Sequence, residues 1–189
     1  LHKTTVAYEK MLVCTLRRAK YLAQSHPSPL TSHLSPPLAY FLYNDVDAQY
    51  FHDSPEALRM YGELDDSDIW SAMKAWRHSD DKILARLAGD LLDRRLWRCE
   101  MTSEPPTETH IEEVRKNLAT KMNIGIEDTD YLMQLVSTEK DMYSPTEDSI
   151  DILMRDGSIA DITQASELLT SLTNPSIGRV CRYYLCFSK

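Results

Sequence analysis

The chain has 189 residues, of which 42% are hydrophobic and 26% charged, with 5 glycines, 9 prolines and a formal net charge of −8. This length can bury a core without disulfides, and the composition excludes collagen-like, low-complexity and disordered chains. The sequence has no apolar run of membrane-spanning length and no excess of basic residues, so we expect neither a membrane nor nucleic acid as a partner.

The first 95 residues predict helices separated by loops. Apolar side chains recur at spacings of three and four over residues 4–24, 38–43, 54–62, 65–77 and 79–93. Ser54, Asp65 and Ser79 are typical helix caps. The proline-rich residues 25–37 predict a loop, and residues 44–53 predict an acidic segment that ends in a turn. The first helix is expected to bury the stripe Tyr8, Leu12, Leu16, Ala19 and Ala23, with Val13 widening it.

From residue 96 onward, strand-like segments alternate with helical ones. Strands are predicted at 96–102, 131–137, 150–154 and 180–187, helices at 108–122 and 162–172, and a tight turn at Asp156-Gly157. This order is that of a ferredoxin-like βαββαβ domain. We therefore predict an α+β fold, with a helical region over residues 1–95 and a ferredoxin-like domain over residues 96–189. Its antiparallel sheet should have the strand order 4-1-3-2.

The four cysteines indicate a reducing compartment. Cys14, Cys99, Cys181 and Cys186 form no CxxC pair, and their spacing does not suit a zinc site. Each lies in an apolar or strand-like segment. We therefore expect buried, reduced thiols and a cytoplasmic protein.

His52-Asp53 is the most conspicuous candidate metal site, because neighbouring His and Asp side chains can both ligate a metal ion. Such a site needs further ligands on packed helices, whereas this pair precedes the helix cap at Ser54. We therefore favour a turn histidine and a capping aspartate, and we assign no metal to this chain. The acidic clusters at 65–68 and 127–130 lack the spacing of a calcium loop, and fit a helix start and a solvated loop.

The remaining motifs point to binding rather than catalysis. The sequence contains no nucleophile motif and no phosphate-cradling glycine loop, so we assign no catalytic residue. Trp70 and Trp76, at helical spacing, are predicted to lie in the hydrophobic core. A set of basic residues in the first half suits phosphate groups, although a solvated helix face is the alternative for most of them. Its members are His2, Lys3, Arg17, Arg18, Arg94, Arg95 and Arg98.

Several segments together resemble one family. Residues 2–4 (HKT) open a helix that contains MLV at 11–13 and LRRA at 16–19, and YFLYND follows at 40–45. The most specific runs are LDDSDIWSA at 64–72 and LLDRRLW at 91–97, and ILMRDGSI at 152–159 and YYL at 183–185 also fit. They resemble the region that follows the catalytic core of HD-domain phosphohydrolases, namely bacterial homologues of the SAM and HD domain-containing dNTP triphosphohydrolase.

The resemblance implies a parent enzyme that uses a divalent metal to release triphosphate from a deoxynucleoside triphosphate. The family's ligands (a His, a His-Asp pair and an Asp) precede the region that this chain resembles. No catalytic residue or metal ligand therefore carries over, and His52-Asp53 is not the family's pair. His2 and Lys3 match a family pair that contacts a nucleotide effector. The expected partners are the catalytic HD core, further copies of the chain and that nucleotide.

Three functions remain open at this point. The first is a C-terminal accessory part of an HD-family phosphohydrolase, cut from a longer protein and inactive alone. Its residues 1–95 would pack on the HD core, and the whole would support oligomerisation and nucleotide regulation. The second is a stand-alone ligand-sensing or protein-interaction module, a role that ferredoxin-like domains also have. The third is a complete enzyme that uses His52-Asp53.

Overall fold

The computed structural model describes residues 2–25, 34–141, 150–162 and 179–189. Within these ranges the chain forms seven α-helices, and a 3₁₀ helix follows the last of them. The α+β class with a helical first part is confirmed, and the helix predicted at 108–122 has those bounds. The predicted loop at 25–37 lies largely outside the described residues. The helices are α1 (Lys3–Ser25), α2 (Pro36–Tyr43), α3 (Ala48–Asp53), α4 (Pro55–Glu63), α5 (Asp66–Trp76), α6 (Lys82–Leu92) and α7 (Glu108–Met122), and the 3₁₀ helix is Glu127–Tyr131.

The strands form two antiparallel sheets. In chain order they are β1 (Arg98–Thr102), β2 (Met133–Asp141), β3 (Asp151–Leu153), β4 (Ile159–Asp161) and β5 (Arg179–Phe187). The larger sheet has the order β1-β5-β2, and β3 and β4 form a separate hairpin. Among the helices of the described ranges, none has the length and hydropathy that a bilayer span requires.

The predicted strand order 4-1-3-2 is wrong for the described strands. The last strand, β5, pairs with both β1 and β2, while the strand predicted at 150–154 pairs with β4, which the pattern did not predict. Gly157 has a φ of +86°, which permits the tight turn after β3. Such a local hairpin also closes at a smaller entropy cost than a distant pairing. The helix predicted at 162–172 lies outside the described residues, apart from Ile162.

The segment predicted to end in a turn at His52-Asp53 is a short helix instead. Asp47 caps α3, and its carboxylate accepts a hydrogen bond from the Tyr50 backbone N–H at 2.7 Å. Six residues are too few to show a helical period, so only this cap could have indicated α3. Ser54 then caps α4, as predicted.

One cluster of buried hydrophobic side chains joins the helices to the larger sheet. Helix α1 contacts α2, α6, β1 and β5. Trp76 is 2% exposed, as predicted, whereas Trp70 is 41% exposed and is not a core residue. The cluster contains residues from both sides of residue 95, so the division into two domains stays a prediction. Its fully buried large members are Met11, Met73, Leu84, Leu87, Leu91, Leu132 and Leu185.

The buried face of α1 differs from the predicted stripe. Val13 is 42% exposed, whereas Arg18 is only 8% exposed. The Arg18 guanidinium donates to both carboxylate oxygens of Asp81, at 3.1 and 2.7 Å, and to Asp128 at 2.8 Å. It also lies 5.0 Å from the ring centroid of Tyr131. These partners replace the water that a buried cation loses, and they tie α1 to segments far along the chain.

Asp81 connects this ion pair to α6. It caps the helix in place of the predicted Ser79, and one of its oxygens accepts the Leu84 N–H at 2.7 Å. Burial alone would raise the pKa of Asp81, but the hydrogen bonds from Arg18 and Leu84 and the charge of Arg18 outweigh it and lower the pKa. The stabilisation of the folded state by this ion pair is therefore complete at pH values above the usual aspartate pKa. It is lost as the pH falls through the lowered pKa of Asp81.

We expect Arg18→Met to lower the free energy of unfolding by about 2–3 kcal/mol at pH 7, because it leaves the Asp81 carboxylate without its cation. The measurement is urea denaturation followed by circular dichroism. The matched control is Arg59→Met on α4, since Arg59 forms an exposed pair with Glu63 and should contribute less than about 0.5 kcal/mol. Equal stabilities of the two variants would contradict the role given to Arg18.

Candidate functional site

A cleft of about 470 Å³ lies between the start of α1 and the start of β1. Eight residues of the described ranges line it, and four of these are cationic and exposed: Lys3, Arg94, Arg98 and Lys189. Arg98 pairs with Glu100 at 3.2 Å. Within the described part of the chain, Lys3 and Arg94 form no ion pair, so their charges face the cleft uncompensated. The other lining residues are Thr4, Leu96, Trp97 and Cys99.

A buried carboxylate fixes the connection between α6 and β1. Asp90 is 2% exposed, and its two oxygens accept hydrogen bonds from the guanidinium groups of Arg86 and Arg95. The Arg95 backbone N–H also donates to the Asp90 carbonyl oxygen at 2.8 Å. Arg94, in the segment between Asp90 and Arg95, has a φ of +56°. This left-handed conformation is uncommon for a non-glycine residue and is stabilised by the contacts around it. Asp90 thus sets the turn that leads Arg94 and Arg98 to the cleft.

The two residues that the resemblance singled out lie at the start of α1. Lys3 lines the cleft, whereas His2 is exposed and is not among the lining residues. The His2 Nδ1 accepts a hydrogen bond from the Thr4 N–H at 3.2 Å. The first turn of α1 contains no acidic side chain, so its positive dipole end is not neutralised locally. The effector role of His2 and Lys3 stays a prediction.

Trp97 connects the wall of the cleft to the hydrophobic core. It is 4% exposed, and its backbone N–H donates to the Met11 sulfur at 3.4 Å. Its indole Nε1 has no hydrogen-bond partner among the described residues.

These features suit an anion with several charged oxygens. Arginine can donate two parallel hydrogen bonds to a phosphate, lysine supplies a compact charge, and a helix start contributes its positive dipole end. The described lining residues include no carboxylate and no histidine. The cationic groups of the cleft therefore suit the binding of an anion.

The structure does not bring His52 and Asp53 together with other metal ligands. Their side chains are 85% and 61% exposed, and the His52 Nδ1 lies 3.0 Å from the Asp53 Oδ1. Hydrogen bonds from His52 and then Gln49 lower the pKa of Asp53. Across the described ranges, no three His, Cys, Asp or Glu side chains converge on a position for a metal ion. Among the described residues, the pair therefore has no third ligand beside it, and the absence of a metal from this chain stays a prediction.

The acidic clusters have structural roles. Asp65 and Asp68 form a capping box at the start of α5, which agrees with the predicted helix start. The cluster at 127–130 is not a solvated loop: it forms the 3₁₀ helix, where Asp128 pairs with Arg18 and Asp130 with Arg115. Long-range ion pairs of this kind leave no signal in the local sequence.

Lys189 is the cationic residue of the cleft that sequence reasoning missed. It stands two residues after Phe187, which pairs with Arg98 in the β1–β5 register. The pairing of β5 with β1, which the predicted strand order already contained, brings it beside Arg98. Arg94 and Arg98 were identified as basic residues suited to phosphate, without their common cleft.

A comparison with solved structures finds a phosphohydrolase from Bacteroides thetaiotaomicron. It is 40% identical to this chain with a TM-score of 0.88, and the match covers 100% of this chain and 46% of that one. The chain therefore spans about half the length of that phosphohydrolase and resembles it along its own whole length. No protein-family model matches the chain, and no curated protein matches it.

We expect Asp90→Asn to lower the free energy of unfolding by about 2–3 kcal/mol, because charge-assisted hydrogen bonds to two arginines are lost in a buried position. Urea denaturation provides the measurement. Asp93→Asn is the control, since Asp93 pairs with Arg77 and Arg95 but is one-third exposed, and we expect a loss below about 1 kcal/mol. A loss for Asp90→Asn no larger than the control's would show that Asp90 does not fix the connection.

Proposed function

We propose that the chain is the C-terminal accessory part of a cytoplasmic, metal-dependent HD-family phosphohydrolase. In this proposal the parent enzyme hydrolyses deoxynucleoside triphosphates to deoxynucleosides and triphosphate. The chain packs on the HD core, supports the homo-oligomer and contributes to regulation by a nucleotide. The full-length similarity to about half of a phosphohydrolase supports the relation to that class of enzyme. The resemblance of residues 64–72 and 91–97 to the HD family supports the finer assignment.

The observation that carries the regulatory role is the cationic cleft. Lys3, which the resemblance links to a nucleotide effector, lies in one cleft with Arg94, Arg98 and Lys189. A nucleotide triphosphate carries its charge on neighbouring phosphate groups, and four cations around one cleft match that distribution. In the proposal these residues hold the phosphates and orient the effector, and they take no part in bond cleavage.

The metal belongs to another part of the parent enzyme in this proposal. Because the described residues of this chain provide no fitting ligand set, no hydrolytic step is assigned to them. Their contribution is to bind, to orient and to transmit the presence of an anion to the parts of the protein that they contact.

Inorganic triphosphate is the probe for the cleft. We expect the chain to bind it in isothermal titration calorimetry, and we expect Lys3→Ala and Arg98→Ala to weaken binding by roughly 5- to 150-fold each, the range for a lost charged contact. Lys74→Ala is the control, since Lys74 is exposed on α5 and does not line the cleft. If all three variants bind as the unchanged chain does, the cleft is not the anion site.

Lys3→Ala also tests the proposed nucleotide regulation in the full-length enzyme. In the full-length enzyme we expect Lys3→Ala to raise the nucleotide concentration needed for activation and to shift the oligomer distribution. Both parameters remaining unchanged in a normally folded variant would refute the effector role of Lys3.

The chain alone should release no triphosphate from any dNTP with Mg²⁺, Mn²⁺ or Co²⁺, because the described residues offer no converging ligands for these ions. Activity above a blank that disappears in His52→Ala would favour the complete-enzyme hypothesis instead. Triphosphate binding without hydrolysis, in a chain that forms no complex with an HD core supplied in trans, would favour the stand-alone sensing module.

A further inference from the structure

Two cysteines face each other across the larger sheet. Cys99 on β1 and Cys186 on β5 are direct partners in the antiparallel register, and the Cys186 thiol donates a hydrogen bond to the Cys99 sulfur at 2.9 Å. All four cysteines of the chain are free thiols. The prediction of burial is correct for Cys14 and Cys186, whereas Cys99 and Cys181 are half-buried.

The geometry of the pair suits a covalent link. Directly opposed residues of antiparallel strands have Cα atoms about 4.5–5.5 Å apart. Cystines have Cα separations of about 4.4–6.8 Å, so the backbone need not move far to join the two sulfurs. In an antiparallel pair both strands are also held by their ladder hydrogen bonds, which keeps the two side chains opposed.

The two sulfurs differ in access. Cys186 is fully buried, whereas Cys99 lines the cationic cleft and can be reached by a small molecule that enters there. Burial, and next the contact with Cys99, raises the pKa of Cys186, so Cys186 is a poor first nucleophile. Burial also raises the pKa of Cys14 to about 11, which leaves that thiol inert.

We propose that Cys99 and Cys186 are a reversible redox pair, oxidised to a cross-strand disulfide by a hydroperoxide that enters through the cleft. The Cys99 sulfur attacks the outer oxygen of the peroxide, the O–O bond breaks, and the leaving oxygen takes up the Cys99 proton as water or an alcohol. Cys99 is then a sulfenic acid. The Cys186 sulfur attacks the Cys99 sulfur, the S–O bond breaks, and the hydroxyl leaves with the Cys186 proton as water. Two thiols are oxidised and one peroxide is reduced.

The test uses the chain with hydrogen peroxide as the oxidant. Intact mass spectrometry should show a loss of two hydrogen atoms, and alkylation under denaturing conditions should label two of the four cysteines rather than four. Peptide mapping should then identify a Cys99–Cys186 link that dithiothreitol removes. The oxidised chain should also unfold at a higher urea concentration, because the link restrains the unfolded chain.

The variants separate this pair from general thiol oxidation. Cys99→Ala and Cys186→Ala should each form no intramolecular link, while Cys181→Ala, in the same strand β5, should form it at a rate within about twofold of the unchanged chain. Peptide mapping of the unchanged chain shows which cysteines are linked even if a variant misfolds. A link to Cys14 or Cys181, or oxidation of Cys99 to sulfinic acid without a link, would overturn the proposal.

Discussion

The Asp90 carboxylate is the constraint on which the candidate site depends. A carboxylate that is 2% exposed has lost its contact with water, and here hydrogen bonds from Arg86 and Arg95 replace that contact. Because Arg95 is held by both its side chain and its backbone N–H, the chain turns sharply after α6 and accepts a left-handed residue at Arg94. β1 follows directly, and with it Arg98 and Cys99. One buried carboxylate at the end of a helix thus positions Arg94 and Arg98, two of the four cations of the cleft.

Helix α1 connects this site to the rest of the molecule. Its start supplies Lys3 and a positive dipole end to the cleft, and Met11, in its third turn, accepts a hydrogen bond from Trp97. Further along, Arg18 binds Asp81 at the cap of α6 and Asp128 in the 3₁₀ helix. An anion bound at the start of α1 therefore contacts the same helix that holds α6 and the sheet together. This arrangement is consistent with the accessory and regulatory role that we propose.

The sequence predicted those features that have a local cause. Caps at Ser54 and Asp65, the helical period of residues 108–122 and the strand content near 96–102 and 180–187 all depend on neighbours within a few residues. The features that it did not predict depend on distant partners. Arg18 is buried because Asp81 and Asp128 lie beside it, although they are 63 and 110 residues away. Strand pairing is a similar case. Periodicity identifies a strand but does not say which strand it pairs with, so it predicted neither the pairing of β5 with β2 nor that of β3 with β4. The cleft was predicted only as separate cations, because the approach of α1 to β1 is a tertiary contact that periodicity does not reveal.

Asp90 thus supports the anion site although it does not line the cleft. The most direct test is the affinity for inorganic triphosphate of Asp90→Asn, compared with that of Arg18→Met, which should lose a similar amount of stability at a different place. Both would be measured at a temperature where circular dichroism shows them to be folded. We expect Asp90→Asn to weaken binding by about tenfold or more, or roughly 1.4 kcal/mol, while Arg18→Met binds nearly as the unchanged chain does. Equal affinities for the two folded variants would contradict the claim.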